Sequence, residues 1–588
     1  MLPLPIERLK ALFPLERTAP PQRTFELGLV LGGTVGVGAY TAGALDFLLE
    51  ALHAWHARNP PHRVSIPFTA GASGGAVCST LLALISSRHI PHIHETYEQL
   101  SKNTHDRGNM LFDIWVNRLD VGTMLTTYDI QDGAAKSLLN AGILDRTVTA
   151  LAKYANDPNV QELDRPYFTK PFRWAVTLAN TRGIPYRLDV AAFEGFEGAM
   201  FVQHDDFARF AMPNGIDLDQ QPGQKREDEF WVVAGPSDVR KGHASYEMMG
   251  EYTLGSAAFP AGFPARDLER PVEHYRLKPL LYAQQDAVKY EDIKWPQPMT
   301  EYVVDAGGST YGFVTVDGGM FNVDPISIVH RELAGLLGRN PREPDKATRG
   351  LFMIDPLASL PRRLEPTNTD FLDVLQSLFG SAIGGARYLT ADMQLLGDPA
   401  CFSRFQLVPH RHRSGDRLLG SDALAGSALG AFGGFVARDY RVHDFMLGRY
   451  NMENYLRRFL TLRGDNALFD GWNNNDRADY ACDNEGNRMS QNELVARDKY
   501  YLPIIPLVSG VGGTTLPKWP RGAFTPADLV DPADTRFTKV LNSLLGEFEI
   551  PAGLRALIGA TISYPFSNIA AKAIIGRLKK DLEKKKLI

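Results

Sequence analysis

The stretch from Val64 to Leu82, VSIPFTAGASGGAVCSTLL, leaves the chain least freedom. An apolar run ending at Phe68 and Thr69 predicts a short strand, Gly71-Ala72-Ser73-Gly74-Gly75 a tight turn, and Ala76 to Leu82 a helix. A serine at the apex of such a turn is forced into strained backbone angles, so its neighbours must be small, and Gly71, Gly74 and Gly75 meet that demand. Ser73 would also stand at a helix N-terminus, where unpaired N–H groups and the helix dipole stabilise a developing alkoxide or oxyanion. On these residues alone two readings stay open: a nucleophile elbow, or a Gly/Ser turn in which Ser73 only caps a buried helix.

The preceding segment has the same grammar. Leu27 to Leu31 predicts a buried strand, Gly32 to Gly38 a glycine-rich turn, and the residues carrying Leu45, Leu48, Leu49 and Leu52 a long helix ended by Pro60 and Pro61. Strand, turn, helix, strand, elbow, helix predicts an α/β fold with parallel strands, in which loops at the strand C-termini build the site. The Gly32–Gly38 turn then lies beside Ser73, and the amides of Gly33, Thr34 and Val35 are candidates for an oxyanion hole. The turn lacks both the dinucleotide-binding and the P-loop spacing, which argues against a nucleotide phosphate there.

Farther on, Phe172 to Leu178 reads as another buried strand, and Phe193 to Gly242 as an irregular insertion long enough for a binding loop or lid. Tyr252 to Ala265, YTLGSAAFPAGFPA, reads as a helix running into a loop, and Tyr302–Val304 and Val314–Val316 as strands. The last ends in Asp317-Gly318-Gly319. An acid at a strand end with two glycines behind it can approach a neighbouring loop closely, as an orienting or general-base carboxylate must; it could equally cap a turn.

Taken together, the Gly-rich turn with GAYTAGALDFL, GASGG around Ser73, Gly255-Ser256-Ala257-Ala258-Phe259-Pro260, Val176-Thr177-Leu178-Ala179-Asn180 and VDGGMFN around Asp317 resemble the patatin-like phospholipase family over about Phe25 to His330. The resemblance implies a three-layer α/β fold with a mostly parallel central sheet, long insertions and a C-terminal extension. It further implies a serine acyl hydrolase that cleaves lipid esters through a Ser-Asp dyad and an acyl-enzyme, without metal or other cofactor. In that reading Ser73 is the nucleophile, Asp317 the base and the Gly33 turn the oxyanion hole; Asp305 in Asp305-Ala306-Gly307-Gly308 matches the family's acid less well. The family turn, G-G-G-x-[RK]-G, is altered here to Gly33-Thr34-Val35-Gly36-Val37-Gly38, with Val37 in place of the cation. That change motivates a second expectation, a catalytically inactive membrane-associated or scaffold protein on the same fold. The chain also looks like a bacterial branch of the family with an altered turn and a later segment similar to His443-Asp444-Phe445-Met446-Leu447-Gly448-Arg449-Tyr450-Asn451. A Ser-His-Asp esterase is a third reading, with His330, His410, His412 or His443 as the third member.

The remaining expectations concern organisation and surroundings. Residues 1–24 read as a lead-in, 25–340 as the hydrolase core with its insertion near 193–242, 341–570 as an extension of unassigned role, and 571–588 as a basic amphipathic tail. In the extension, Phe371–Leu378 and Leu389–Leu396 predict helices, and the small-residue run Ala423–Gly434 predicts close packing or a mobile loop. The tail carries seven Lys or Arg against two acids, with Ile574, Ile575, Leu578 and Leu582 on one face. It suits peripheral membrane contact or a solvated terminal helix. A net charge of -5 argues against nucleic acid as a general partner. Cys78, Cys401 and Cys482 suit neither a zinc site nor a disulfide framework, and the N-terminus has no signal-peptide core, so a cytoplasmic protein, either soluble or peripheral at a membrane, is expected.

Overall fold

Leu27, Leu29 and Leu31 join one hydrophobic core and Val30 another. This alternation is what a strand buried on both faces requires. The strand is the first of ten in one sheet: β1 (Thr24–Leu31), β2 (Arg63–Gly71), β3 (Phe168–Leu188), β4 (Ala199–Met212), β5 (Phe230–Val232), β6 (His243–Ala244), β7 (Arg266–Pro271), β8 (Thr310–Asp317), β9 (Arg349–Ile354) and β10 (Arg404–Leu407). The helices that matter for the site are α1 (Gly38–His56), α2 (Gly74–Ile85), α3 (Gly142–Ala155), α4 (Tyr246–Ser256), α5 (Ile326–Ala334), α6 (Arg438–Arg458), α7 (Val530–Glu547) and α8 (Tyr564–Lys584). The computed structural model describes residues 6–130, 134–157, 160–188, 199–214, 224–278, 298–299, 308–336, 338–358, 385, 393, 404–413, 416–496, 499–547 and 564–588.

The sheet runs β10-β9-β1-β2-β3-β4-β5-β6, with β8 pairing both β3 and β7. Pairing is parallel from β10 through β3 and again from β4 to β6; β3–β4, β3–β8 and β7–β8 are antiparallel. On one face α5 packs on Val30, Phe68, Ala70 and Ala175; on the other, α1, α2 and α6 share the larger core with Leu29, Leu31, Ile66, Trp174 and Val176. The protein is therefore an α/β fold of three layers around a mostly parallel sheet. A register shift between Ile66 and Phe68, at Pro67, lets these even-numbered residues of β2 face opposite layers.

Three expectations about organisation change. The stretch 193–242 is not one irregular insertion: β4 and β5 within it are central-sheet strands, and β4 follows β3 in an antiparallel pair from Phe172↔Met212 to Leu188↔Ala199. Its outer half alternates weakly because that end is exposed on both sides, which hid the strand period. The break at residue 340 does not separate two bodies, because β9 and β10 extend the sheet beside β1 and α6 lies along α1 in the same core. Buried Arg449 of α6 makes ion pairs with Asp46 and, at 2.6 Å, with Glu50 of α1, while Asn451 accepts from Tyr40 Oη at 3.1 Å. Finally, the apolar face of the tail is already occupied: Ala571, Ile575, Leu578 and Leu582 are buried against α7 and its neighbours, leaving Ile569 and Ile574 exposed. Tyr302–Val304, Phe371–Leu378, Asp305, Cys401 and all of Leu389–Leu396 except Met393 lie outside the described residues. Among the described residues no helix is long and apolar enough to cross a membrane.

Candidate active site

β1, β2 and β9 end level with one another, Leu31 pairing with both Gly71 and Ile354. The chain leaves β2 through Ala72 and turns at Ser73, whose backbone sits at φ 53° and ψ -126° before α2 begins at Gly74. A serine tolerates that conformation only when its surroundings impose it. One of them is Gly75, where a Cβ would stand 2.1 Å from the Leu31 carbonyl oxygen, so any side chain there would push the elbow off β1.

Asp317 arrives from the other direction. β4 occupies one edge of β3 along its length, so β2 and β8 must share the opposite edge. β2 ends with Gly71 opposite Val176, and β8 ends with Asp317 opposite Leu178, two residues farther along β3. The two strands thus approach end to end, and Ser73 Oγ donates to Asp317 Oδ2 at 2.7 Å. The other carboxylate oxygen, Oδ1, accepts the Gly319 N–H at 2.8 Å, an arrangement open to the sequence reading of Asp317 as a turn cap as well as a base. Burial pushes the Asp317 carboxyl up to about 6, with the Ser73 and Gly319 hydrogen bonds offsetting part of that rise.

The segment after α4 ties the pair together. Ser256 Oγ accepts the Ser73 N–H at 3.1 Å, and the Ala258 carbonyl accepts the Asp317 N–H at 2.9 Å. This explains the small residues of Gly255-Ser256-Ala257-Ala258: Ser256 and Ala258, two residues apart, hold the backbones of Ser73 and Asp317, and Ser256 is fully buried. Sequence reasoning matched this segment without assigning it a task.

On the other side of Ser73 lies the glycine-rich turn. The Gly32, Gly36 and Val37 amides are taken, by Ile354, Ala431 and Thr34 carbonyls respectively. Those of Gly33, Thr34 and Val35 donate to no acceptor among the described residues, as an oxyanion hole requires. The Gly74 N–H, first in α2, is likewise unengaged among them, and Gly74 abuts the Thr34 side chain. It was not predicted, although its position directly after Ser73 and at a helix N-terminus is a signal. Val35 holds φ 49°, a left-handed conformation costly for a β-branched residue, and Val37 is fully buried in the apolar core. Gly434 braces this turn from the small-residue run: a Cβ on it would stand 1.9 Å from the Gly36 carbonyl oxygen. The run is therefore close packing, and Asp444 of α6 secures it by accepting the Ala425 and Gly426 amides at 2.8 and 2.9 Å.

Residues 398–463 match a protein family of unknown function, DUF3376. They include β10 and α6, so the matched segment supplies a sheet strand and the helix that secures the run bracing the turn. Over 534 residues the chain is 26% identical to the uncharacterized protein y4iI of Sinorhizobium fredii (strain NBRC 101917 / NGR234), covering 85% of this chain and 73% of that protein.

Ser73 and Asp317 open into a narrow cavity, about 90 Å³ of space for water-molecule centres, walled by Trp115, Leu144, Leu151, Met249, Phe259 and Phe435 among other apolar groups. Among the described residues no histidine lines it. His443 contacts Asp444 and Arg411, and His410 contacts Asn451, so these two serve the α6 region. Cys78 is buried in α2, which pushes its thiol up to about 12 and leaves it inert.

Proposed function

We propose that the protein is a serine acyl hydrolase acting on lipid acyl esters through a Ser73–Asp317 dyad. The observation that carries this reading is the 2.7 Å hydrogen bond from Ser73 Oγ to a buried carboxylate at the mouth of an apolar cavity. As Oγ attacks the acyl carbonyl carbon, its proton passes to Asp317 Oδ2, and the tetrahedral oxyanion is met by the turn amides and the Gly74 N–H. Collapse expels the alcohol, which takes the proton back from Asp317 and leaves an acyl-Ser73 ester. Water then attacks that ester with Asp317 again as base, releasing the fatty acid and restoring Ser73. A base held near 6 is ionised at neutral pH yet basic enough to accept the proton.

The apolar walls suit a hydrocarbon chain, and the absence of histidine from the lining favours the dyad over a histidine-containing triad. With most of the tail's apolar face packed internally, approach to a lipid surface through 571–588 would rely on its lysines and on Ile569 and Ile574. The deciding experiment is labelling of the purified protein with a fluorophosphonate probe, alongside Ser73→Ala and Asp317→Asn. Labelling of the wild type that disappears in both variants is the expected result. A folded wild type that neither labels nor hydrolyses any ester, including at a lipid surface, would favour the inactive scaffold.

A further inference from the structure

A second apolar cavity of about 510 Å³ adjoins the first. Phe259 and Phe435 line both, so their rings form the partition between them. Phe432, on the far side, packs edge-on against Phe259 at 5.5 Å between centroids, and Phe263, on the near side, edge-on against Phe435 at 6.0 Å. The rest of the wall is shared between the C-terminal part of the chain, through Leu429, Leu529, Ala533, Phe537, Ile575 and Leu578, and earlier segments that include Leu125, Leu139 and Pro260. Met320, directly after Gly318-Gly319, also reaches it, so the chamber starts beside the base.

This wall is held in place by polar anchors outside the chamber. Arg536 of α7 is fully buried, bonds both Asp129 carboxylate oxygens at 2.7 and 2.9 Å and also donates to the Leu138 carbonyl at 2.6 Å. A chamber of this size lined by carbon offers water almost no hydrogen-bond partners, and leaving it empty forfeits dispersion contacts on every wall. Hydrocarbon satisfies both conditions.

We propose that this chamber is a second acyl-chain site, so that the substrate is a two-chain lipid: one chain lies in the cavity at Ser73, and its neighbour passes the Phe259–Phe435 partition into the second chamber. The inference rests on Ser73 acting on a lipid ester, but its test does not need turnover. Ser73→Ala protein is titrated calorimetrically with 1,2-dioctanoylglycerol and with 1-monooctanoylglycerol below their aggregation concentrations. The same titrations follow in Ser73→Ala combined with Ala533→Phe or, separately, Leu529→Trp, each of which fills the chamber. Variants are first compared by circular dichroism and thermal melting, and either one that folds suffices. The expected result is tighter binding of the diester than the monoester, with that preference reduced at least tenfold by filling. Equal affinity for the two ligands, or a preference unchanged by filling in a folded variant, overturns the chamber whether or not the wild type hydrolyses esters. A retained two-chain preference in a protein whose wild type neither labels nor turns over would sink the hydrolase reading and leave the site standing.

Discussion

Ser73 and Asp317, 244 residues apart in the chain, meet at 2.7 Å because β2 and β8 run toward each other along the same edge of β3. The pair is thus set by strand register. A slip of one residue in either pairing would turn the affected side chain to the opposite face and separate the two oxygens.

The ionisation of Asp317 should be visible in the rate. With its carboxyl raised to about 6, kcat/KM for a soluble short-chain ester should climb through pH 6 and level off above pH 7, following a single ionisation. A profile flat from pH 5 to 8, measured with an ester that does not itself titrate, would remove Asp317 as the base.

The same group has a cost in stability. Its native value lies above the ordinary 3.8, so the folded state binds a proton that the unfolded state has already lost. The associated stability is fully present below pH 4 and lost as pH rises through 6, a change of ~3 kcal/mol at about 1.4 kcal/mol per pH unit. Asp317→Asn does not titrate. Its stability relative to wild type, from urea melts at pH 4 and pH 7, should therefore improve by about that amount at the higher pH. No change in the difference would show that Asp317 ionises as it does in the unfolded chain.

Ser256→Ala removes the acceptor of the Ser73 N–H and leaves that amide unpaired in the interior. Stability should fall by about 1–3 kcal/mol. Because Ser256 does not line the cavity, kcat should fall while KM changes little. A matching rise in KM with kcat intact would assign Ser256 to substrate binding instead.

Gly434→Ala tests the brace on the glycine-rich turn as an oxyanion hole. The added Cβ lands against the Gly36 carbonyl, so the turn must move relative to Ser73. A displacement of about 1 Å at a reacting centre can lower the rate by about 100-fold, and kcat/KM of this variant should drop on that scale. Fluorophosphonate labelling should slow with it; rates equal to wild type in a folded variant would show that the turn amides take no part.

The local pieces were legible because each has a short-range cause. Small residues around Ser73 report a tight elbow, the apolar run before it reports a strand buried on both faces, and glycines after Asp317 report close backbone approach. The α/β architecture followed from their order. β4 was missed because its outer half is exposed, so neither period was strong, and the Gly74 amide because a backbone N–H carries no side-chain signature.

What the sequence by itself determined is the set of local conformations: where the elbow lies, which residues turn, and which faces must be buried. Tertiary structure alone decided what meets what. It brought Asp317 to Ser73 along one edge of β3, set Ser256 under the Ser73 amide, pressed Gly434 on the glycine-rich turn, and covered most of the tail's apolar face with protein. The physical reason is that periodicity records that a face must leave water, whereas the identity of its cover depends on packing between segments hundreds of residues apart.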